Sequence, residues 1–206
     1  MWHPGHLLLP LLFAAASCGH EATAPIDIAN DVMAPSAEAN ARAEPTEAAL
    51  TAEGWGPLRI GMTRAEIVAA AGPDADPEAV GGPEPDRCDQ FRPARAPEGL
   101  LVMVEDDRLT RISIHDNARL RTSDGIGIGM AAADAKTRLG NAARISPHHY
   151  VEAPAEYIDH WVPGTAEAPY VQDPAARGVR YEIGGDGRVG AIHAGGPSIQ
   201  YVEGCA

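Results

Sequence analysis

The side chains able to do chemistry fall into three groups. His148, His149, His160 and His193 lie in the second half of the chain with Asp159. Imidazole plus carboxylate is the donor set of a zinc site or of metal-assisted hydrolysis. Their spacing does not build one: adjacent histidines on a strand point to opposite sides, so only one of His148 and His149 can join His160. Neither H-E-x-x-H nor a Cys–His spacing occurs. Hydrogen-bonded or surface histidines are expected, and no metal ligand is assigned. Ser198, in Gly195-Gly196-Pro197-Ser198-Ile199, departs from the G-x-S-x-G elbow of serine hydrolases. Asp124-Gly125-Ile126-Gly127-Ile128-Gly129 has the glycines of a phosphate loop, but no clear strand precedes it and the helix start lacks its own glycine. No catalytic residue and no cofactor is assigned.

The third group is the cysteines. Residues 1–17 run from a short polar start through an apolar stretch at Leu7–Ala16 into small residues, the shape of an export signal and too short to span a bilayer. Before the apolar stretch only His3, His6 and the terminal amine can be positive. Ala15-Ala16-Ser17-Cys18 resembles the lipobox of bacterial lipoproteins, which implies acylation of Cys18 and cleavage before it; an ordinary cleaved signal with an incidental cysteine is the alternative. With Cys18 assigned to lipid, Cys88 and Cys205 are left as one pair in an oxidising compartment.

Residues 18–53 are rich in Ala, Pro and Glu, with Glu21, Asp27, Asp31, Glu38, Glu44, Glu47 and Glu53 against Arg42. Such a stretch buries too little apolar surface to offset its chain entropy and is expected to be a flexible spacer. The net charge of −13 argues against nucleic acid and favours basic partners.

Residues 54–206 are the length of one domain and contain a repeat. Residues 58–72 align with 126–140, so that Ile60, Gly61, Met62, Glu66 and Gly72 fall on Ile128, Gly129, Met130, Asp134 and Gly140. Thr63 and Glu66 form a capping box signature and Gly72 a stop; Ala131 replaces the threonine in the second copy, which weakens that helix start by about 1 kcal/mol unless Asp134 compensates. Ile67 and Leu139 should face inward. Strand patterns follow at 100–104 and 109–114, and at 179–183 and 189–194, with Ile199 and Tyr201 continuing the alternation. The turn acids Asp106 and Asp107 are expected to be solvated, and Trp55 to cover a core edge. The fold class is therefore α+β: two tandem repeats, at 54–119 and 120–206, each a short helix followed by an antiparallel β-meander.

Leu58-Arg-Ile-Gly-Met-Thr-Arg-Ala-Glu-Ile with Gly72-Pro73 resembles the helix entry of the small outer-membrane assembly lipoproteins of the SmpA/OmlA type, and the tandem arrangement looks like the β-lactamase inhibitory proteins. The resemblance covers two stretches of about fifteen residues and a topology. It implies an envelope protein, lipid-anchored and facing the periplasm with the outer membrane favoured, that works by binding.

Gly140 follows Gly72 by 68 positions whereas Arg188 follows Arg108 by 80, so twelve residues are extra in the second copy, in or near 161–177. Duplicated units share what the fold requires, and long irregular loops carry function. Trp161 and Tyr170 are the candidate partner-binding anchors, the partner being an envelope protein or glycan. An envelope hydrolase or metal-dependent enzyme using the histidines and acids of the second repeat is the alternative.

Overall fold

The computed structural model describes residues 48–116, 119–163 and 168–206. The export signal, Cys18 and most of the acidic segment lie outside the described residues. A two-residue hairpin, β1 (Gly54–Trp55) and β2 (Leu58–Arg59), leads into α1 (Arg64–Ala71), then β3 (Cys88–Phe91), β4 (Leu100–Glu105) and β5 (Arg108–His115). The second half holds α2 (Ala132–Leu139), β6 (Arg144–Pro147), β7 (Glu156–Trp161), β8 (Gly178–Ile183) and β9 (Val189–Gly195), and a 3-10 turn at Pro197–Gln200 follows. One antiparallel sheet of seven strands runs in the order β3-β4-β5-β9-β8-β7-β6. The molecule is α+β, with the last strands of the two halves paired at the sheet's centre.

Alternation along the central strands builds the core. In Leu109-Thr-Arg-Ile-Ser-Ile-His115, Ile112 and Ile114 enter the apolar cluster with Val102, Tyr181 and Ile192, while Arg111 and Ser113 face the other way. Both helices bury their apolar residues in that cluster, Ile67 and Ala71 from α1 and Ala135 and Leu139 from α2, as the spacing predicts. Trp55 packs against its edge.

The helix starts match position by position. Gly61 N–H donates to Leu109 O (2.8 Å) and Leu109 N–H to Met62 O (2.7 Å); Gly129 N–H donates to Val189 O (2.8 Å) and Val189 N–H to Met130 O (2.9 Å). Arg108 and Arg188 each donate from Nη1 to the glycine carbonyl, at 3.2 and 2.8 Å. Gly61 and Gly129 have φ of 96° and 82°, where a side chain is strained. Thr63 makes its capping box with Glu66, and α2 has no side-chain cap at Ala131. A backbone contact offsets this, because the hairpin after β8 brings Gly187 O to 2.9 Å from Ala132 N. At the matching place in the first half Arg64 N–H donates to Asp107 Oδ1 (3.2 Å). Asp107 therefore caps a helix and is not only a solvated turn acid.

Three sequence expectations need correction. The domain begins before residue 54: Leu50, inside the expected spacer, is fully buried and exchanges backbone hydrogen bonds with Arg121 and Ser123. One leucine in an Ala/Glu run has no periodicity to reveal it. Ile199 and Tyr201 do not continue a strand, since Gly195-Gly196-Pro197 turns the chain into the 3-10 turn. His148 and His149 follow β6 rather than lying within a strand.

Candidate functional site

The sheet's far face, away from the helices, is neither apolar nor solvated. Register places Ser113 opposite His193, His115 opposite Ala191 and Arg111 opposite Gly195, then Arg180 opposite His193 and Glu182 opposite Ala191 across the next pair. Tyr157 and Asp159 continue these rows from β7. Arg111, Ser113, Asp159, Arg180 and His193 are all buried. The C-terminal segment covers them: Arg111 Nη1 donates to Ser198 O (3.3 Å) and Tyr201 O (3.0 Å), and Arg180 Nη1 to Gln200 O (3.3 Å). The disulfide between Cys88 and Cys205, with Cα atoms 5.4 Å apart, ties this segment to β3.

Arg180 is neutralised by a bidentate pair with Asp159 (2.7 and 2.8 Å), and its guanidinium lies 4.5 Å from the Tyr157 ring centroid. A second chain of contacts runs from Ser113 Oγ to His193 Nδ1 (2.8 Å), from His193 Nε2 to Glu182 Oε2 (3.5 Å) and from Glu182 Oε1 to His148 Nε2 (3.1 Å). The amides of Tyr150 and Val151 both donate to His148 Nδ1 at 3.1 Å, so its proton sits on Nε2 and points at Glu182. Hydrogen bonds from His193 hold the Glu182 carboxyl down at about 2, assisted by His148 and against burial. Burial drives His193 down to about 4, with Glu182 opposing and Arg111 adding to the effect. At neutral pH His193 is therefore uncharged, donating from Nε2 to Glu182 and accepting the Ser113 hydroxyl proton at Nδ1.

Ser–His–Glu connectivity resembles a hydrolase triad, but Ser113 is 1% exposed, and burial keeps His193 a weak base. Of the histidines named from sequence, His148 and His193 share the Glu182 carboxylate, while His149 and His160 lie apart from them. His148 contacts Glu182, His160 Nδ1 lies 3.3 Å from Asp124 Oδ2, and the ring of His149 packs edge-on against Tyr150. Among the described residues no three His, Cys, Asp or Glu side chains are placed to hold a metal ion. The glycine-rich stretch is a tight turn in which Asp124 accepts from Tyr181 Oη (3.2 Å).

The two candidate anchors separate. Trp161, the last residue of β7, is 7% exposed, packs with Val171, Ala176 and Ile199, and lies over Gly178, where a Cβ would come within 2.6 Å of the ring. It belongs to a second small core, which Gln200 closes by bonding both backbone groups of Val171 (2.8 and 2.9 Å). Tyr170 is 53% exposed. Tyr150, Tyr201 and Val202 are also exposed, and the Tyr150 hydroxyl donates to Glu203 in the C-terminal segment. Beside this segment the far face opens into a cleft of about 470 Å³ lined by Arg111, His115, Glu182, Ala191 and His193. The alternation through Arg180-Tyr181-Glu182 is that of a sheet with one buried face, and nothing local in it signals a cover arriving from the chain's end.

Among the described residues no helix is long and apolar enough to cross a membrane. Comparison with protein-family models, with curated proteins and with solved structures finds no match to this chain.

Proposed function

We propose that this chain is a lipid-anchored binding module of the bacterial cell envelope, held by an acyl group on Cys18, whose partner is an envelope protein or glycan. One observation carries the reading: the far face holds a charged, internally bonded layer opening to a cleft, with exposed Tyr150 and Val202 on the segments that flank it. A rigid polar floor beside exposed apolar groups is the composition of a recognition surface. The matched bonds at Gly61–Leu109 and Gly129–Val189 support a second element of the proposal, that the two halves are copies of one helix-plus-meander unit. The resemblance to small outer-membrane lipoproteins and to the β-lactamase inhibitory proteins points the same way.

The test is affinity purification of the full chain from native membranes, alongside Tyr170→Ala and Val202→Asp. A partner retained by the wild type and lost by either variant, at unchanged melting temperature, supports the module; a partner set indifferent to both overturns the assigned surface. The Ser113–His193–Glu182 contacts are the observation behind a second reading, an envelope hydrolase, which requires the buried Ser113 to become accessible to substrate. Ester or amide hydrolysis abolished by Ser113→Ala in a folded protein would establish it in place of binding.

A further inference from the structure

Arg111 is the one buried cation of the far face without a bonded carboxylate among the described residues. Arg180 has Asp159, whereas Arg111, 4% exposed, bonds only neutral oxygens: Ser198 O, Tyr201 O and Gln90 Oε1 (2.9 Å). Three of its five protons are thus used, and its Nε–H finds no acceptor. Glu105 and Glu182 act on it only at longer range, while Arg180 opposes its charge and burial lowers it to about 10. A buried guanidinium without a counter-ion is costly to keep, and one lining a cleft is placed to receive an anion.

The cleft restricts what that anion is. At about 470 Å³ it has the size of a small-molecule site. Arg92 and His115 lie on the same side as Arg111, but Glu182, Asp116 and Glu203 also line it and oppose a multiply charged group. Those carboxylates accept hydrogen bonds, so the body of the ligand should carry donors.

We propose that the cleft binds a small hydroxylated carboxylate, such as a uronic acid, with Arg111 anchoring the carboxylate and the acidic side chains accepting from its hydroxyls. Burial and the Arg111 charge hold His115 below its usual range, with Asp116 and Glu182 opposing and Arg92 adding, so it is neutral and able to hydrogen-bond the incoming anion at neutral pH. The inference rests on the cleft of the proposed binding face but needs neither the lipid nor a protein partner.

The experiment is a titration of the full chain, followed by amide chemical shifts, with D-glucuronate, D-glucose and inorganic phosphate at low ionic strength. Saturable glucuronate shifts at Gln90, Arg111, His115 and Ala191 are expected, with glucose weaker by roughly tenfold or more because it lacks only the carboxylate. Arg111→Gln should abolish the response; since that variant removes three structural bonds, exposed Arg92→Gln serves beside it and should weaken binding several-fold in a folded protein. Absence of saturation by millimolar glucuronate, equal response to phosphate, or a response unchanged in Arg92→Gln and in folded Arg111→Gln would each overturn the proposal. A partner set indifferent to Tyr170→Ala and Val202→Asp, with glucuronate binding intact, would count against the module alone.

Discussion

His193 shows how one residue ties the far face to solution conditions. Its folded pKa is depressed to about 4 from 6.5, so between these values the unfolded chain binds more protons than the folded one. Stability is therefore full above about pH 6.5 and declines as pH falls towards 4, by up to roughly 3 kcal/mol. Glu182, depressed to about 2 from 4.5, extends the same direction to lower pH. Urea denaturation at pH 7 and pH 5 should show the drop, and His193→Gln should flatten it; a wild type equally stable at both pH values would mean that His193 is charged when folded. The aromatic pair supplies a second residue-scale outcome. Trp161→Ala should cost about 3–5 kcal/mol, because it empties a packed site over Gly178, whereas Tyr170→Ala should cost under about 0.5 kcal/mol. Denaturation midpoints of the two variants check this. Composition could nominate both rings as anchors but could not tell a strand's last residue from a loop's first.

At the scale of elements, the two helix entries make a paired experiment. Thr63→Ala should lose about 1 kcal/mol because it removes the hydroxyl that accepts from the Glu66 amide and donates to the Glu66 carboxylate, leaving only the bond from the residue-63 amide to that carboxylate. Ala131→Thr should gain at most about 0.5 kcal/mol: Gly187 O already occupies the Ala132 amide, and the Asp134 amide, which a threonine hydroxyl would reach, already donates to Ala131 O at 3.0 Å. Thermal melts of the two variants should move in opposite directions. The helices, β4, β5, β8 and β9 were legible because the Thr63–Glu66 capping box, the repeated glycines, the apolar run of β4 and the alternation within β5 and β8 are local signals. Cys88–Phe91 and Glu156–Trp161 were not, since Cys-Asp-Gln-Phe and Glu-Tyr-Ile-Asp-His-Trp mix polar and apolar residues without a solvent face. Both faces of those strands are covered by segments remote in sequence, so burial there is decided by topology.

For the whole molecule, the cysteine arithmetic reached farther than any other sequence signal, because leaving Cys88 with Cys205 joins β3 to the last residues of the chain. The far-face site was out of reach for the same long-range reason: its floor comes from β3, β4, β5, β8 and β9, and its cover from Val202, Glu203 and Gly204, which become a wall only when the disulfide pins them. Gly204 has a φ of 68°, where a side chain is strained, and it sits against the Gln90 amide that bonds Arg111. Breaking the bond releases a loop 117 residues long in the unfolded state, a change of about 4–5 kcal/mol in the chain-entropy model. A Cys88→Ser/Cys205→Ser variant should thus melt roughly 10 °C or more below the wild type. The tail carbonyls of Ser198 and Tyr201 also hold Arg111, so the variant should loosen the cleft before it unfolds. Hydrogen exchange below the melting temperature should show Tyr201–Cys205 and the strand amides beneath them losing protection first, with Ile67 and Ile112 on the helix side still protected. Uniform loss of protection across both faces would mean that the disulfide stabilises the domain only as a whole, and that the C-terminal cover is held by its hydrogen bonds alone.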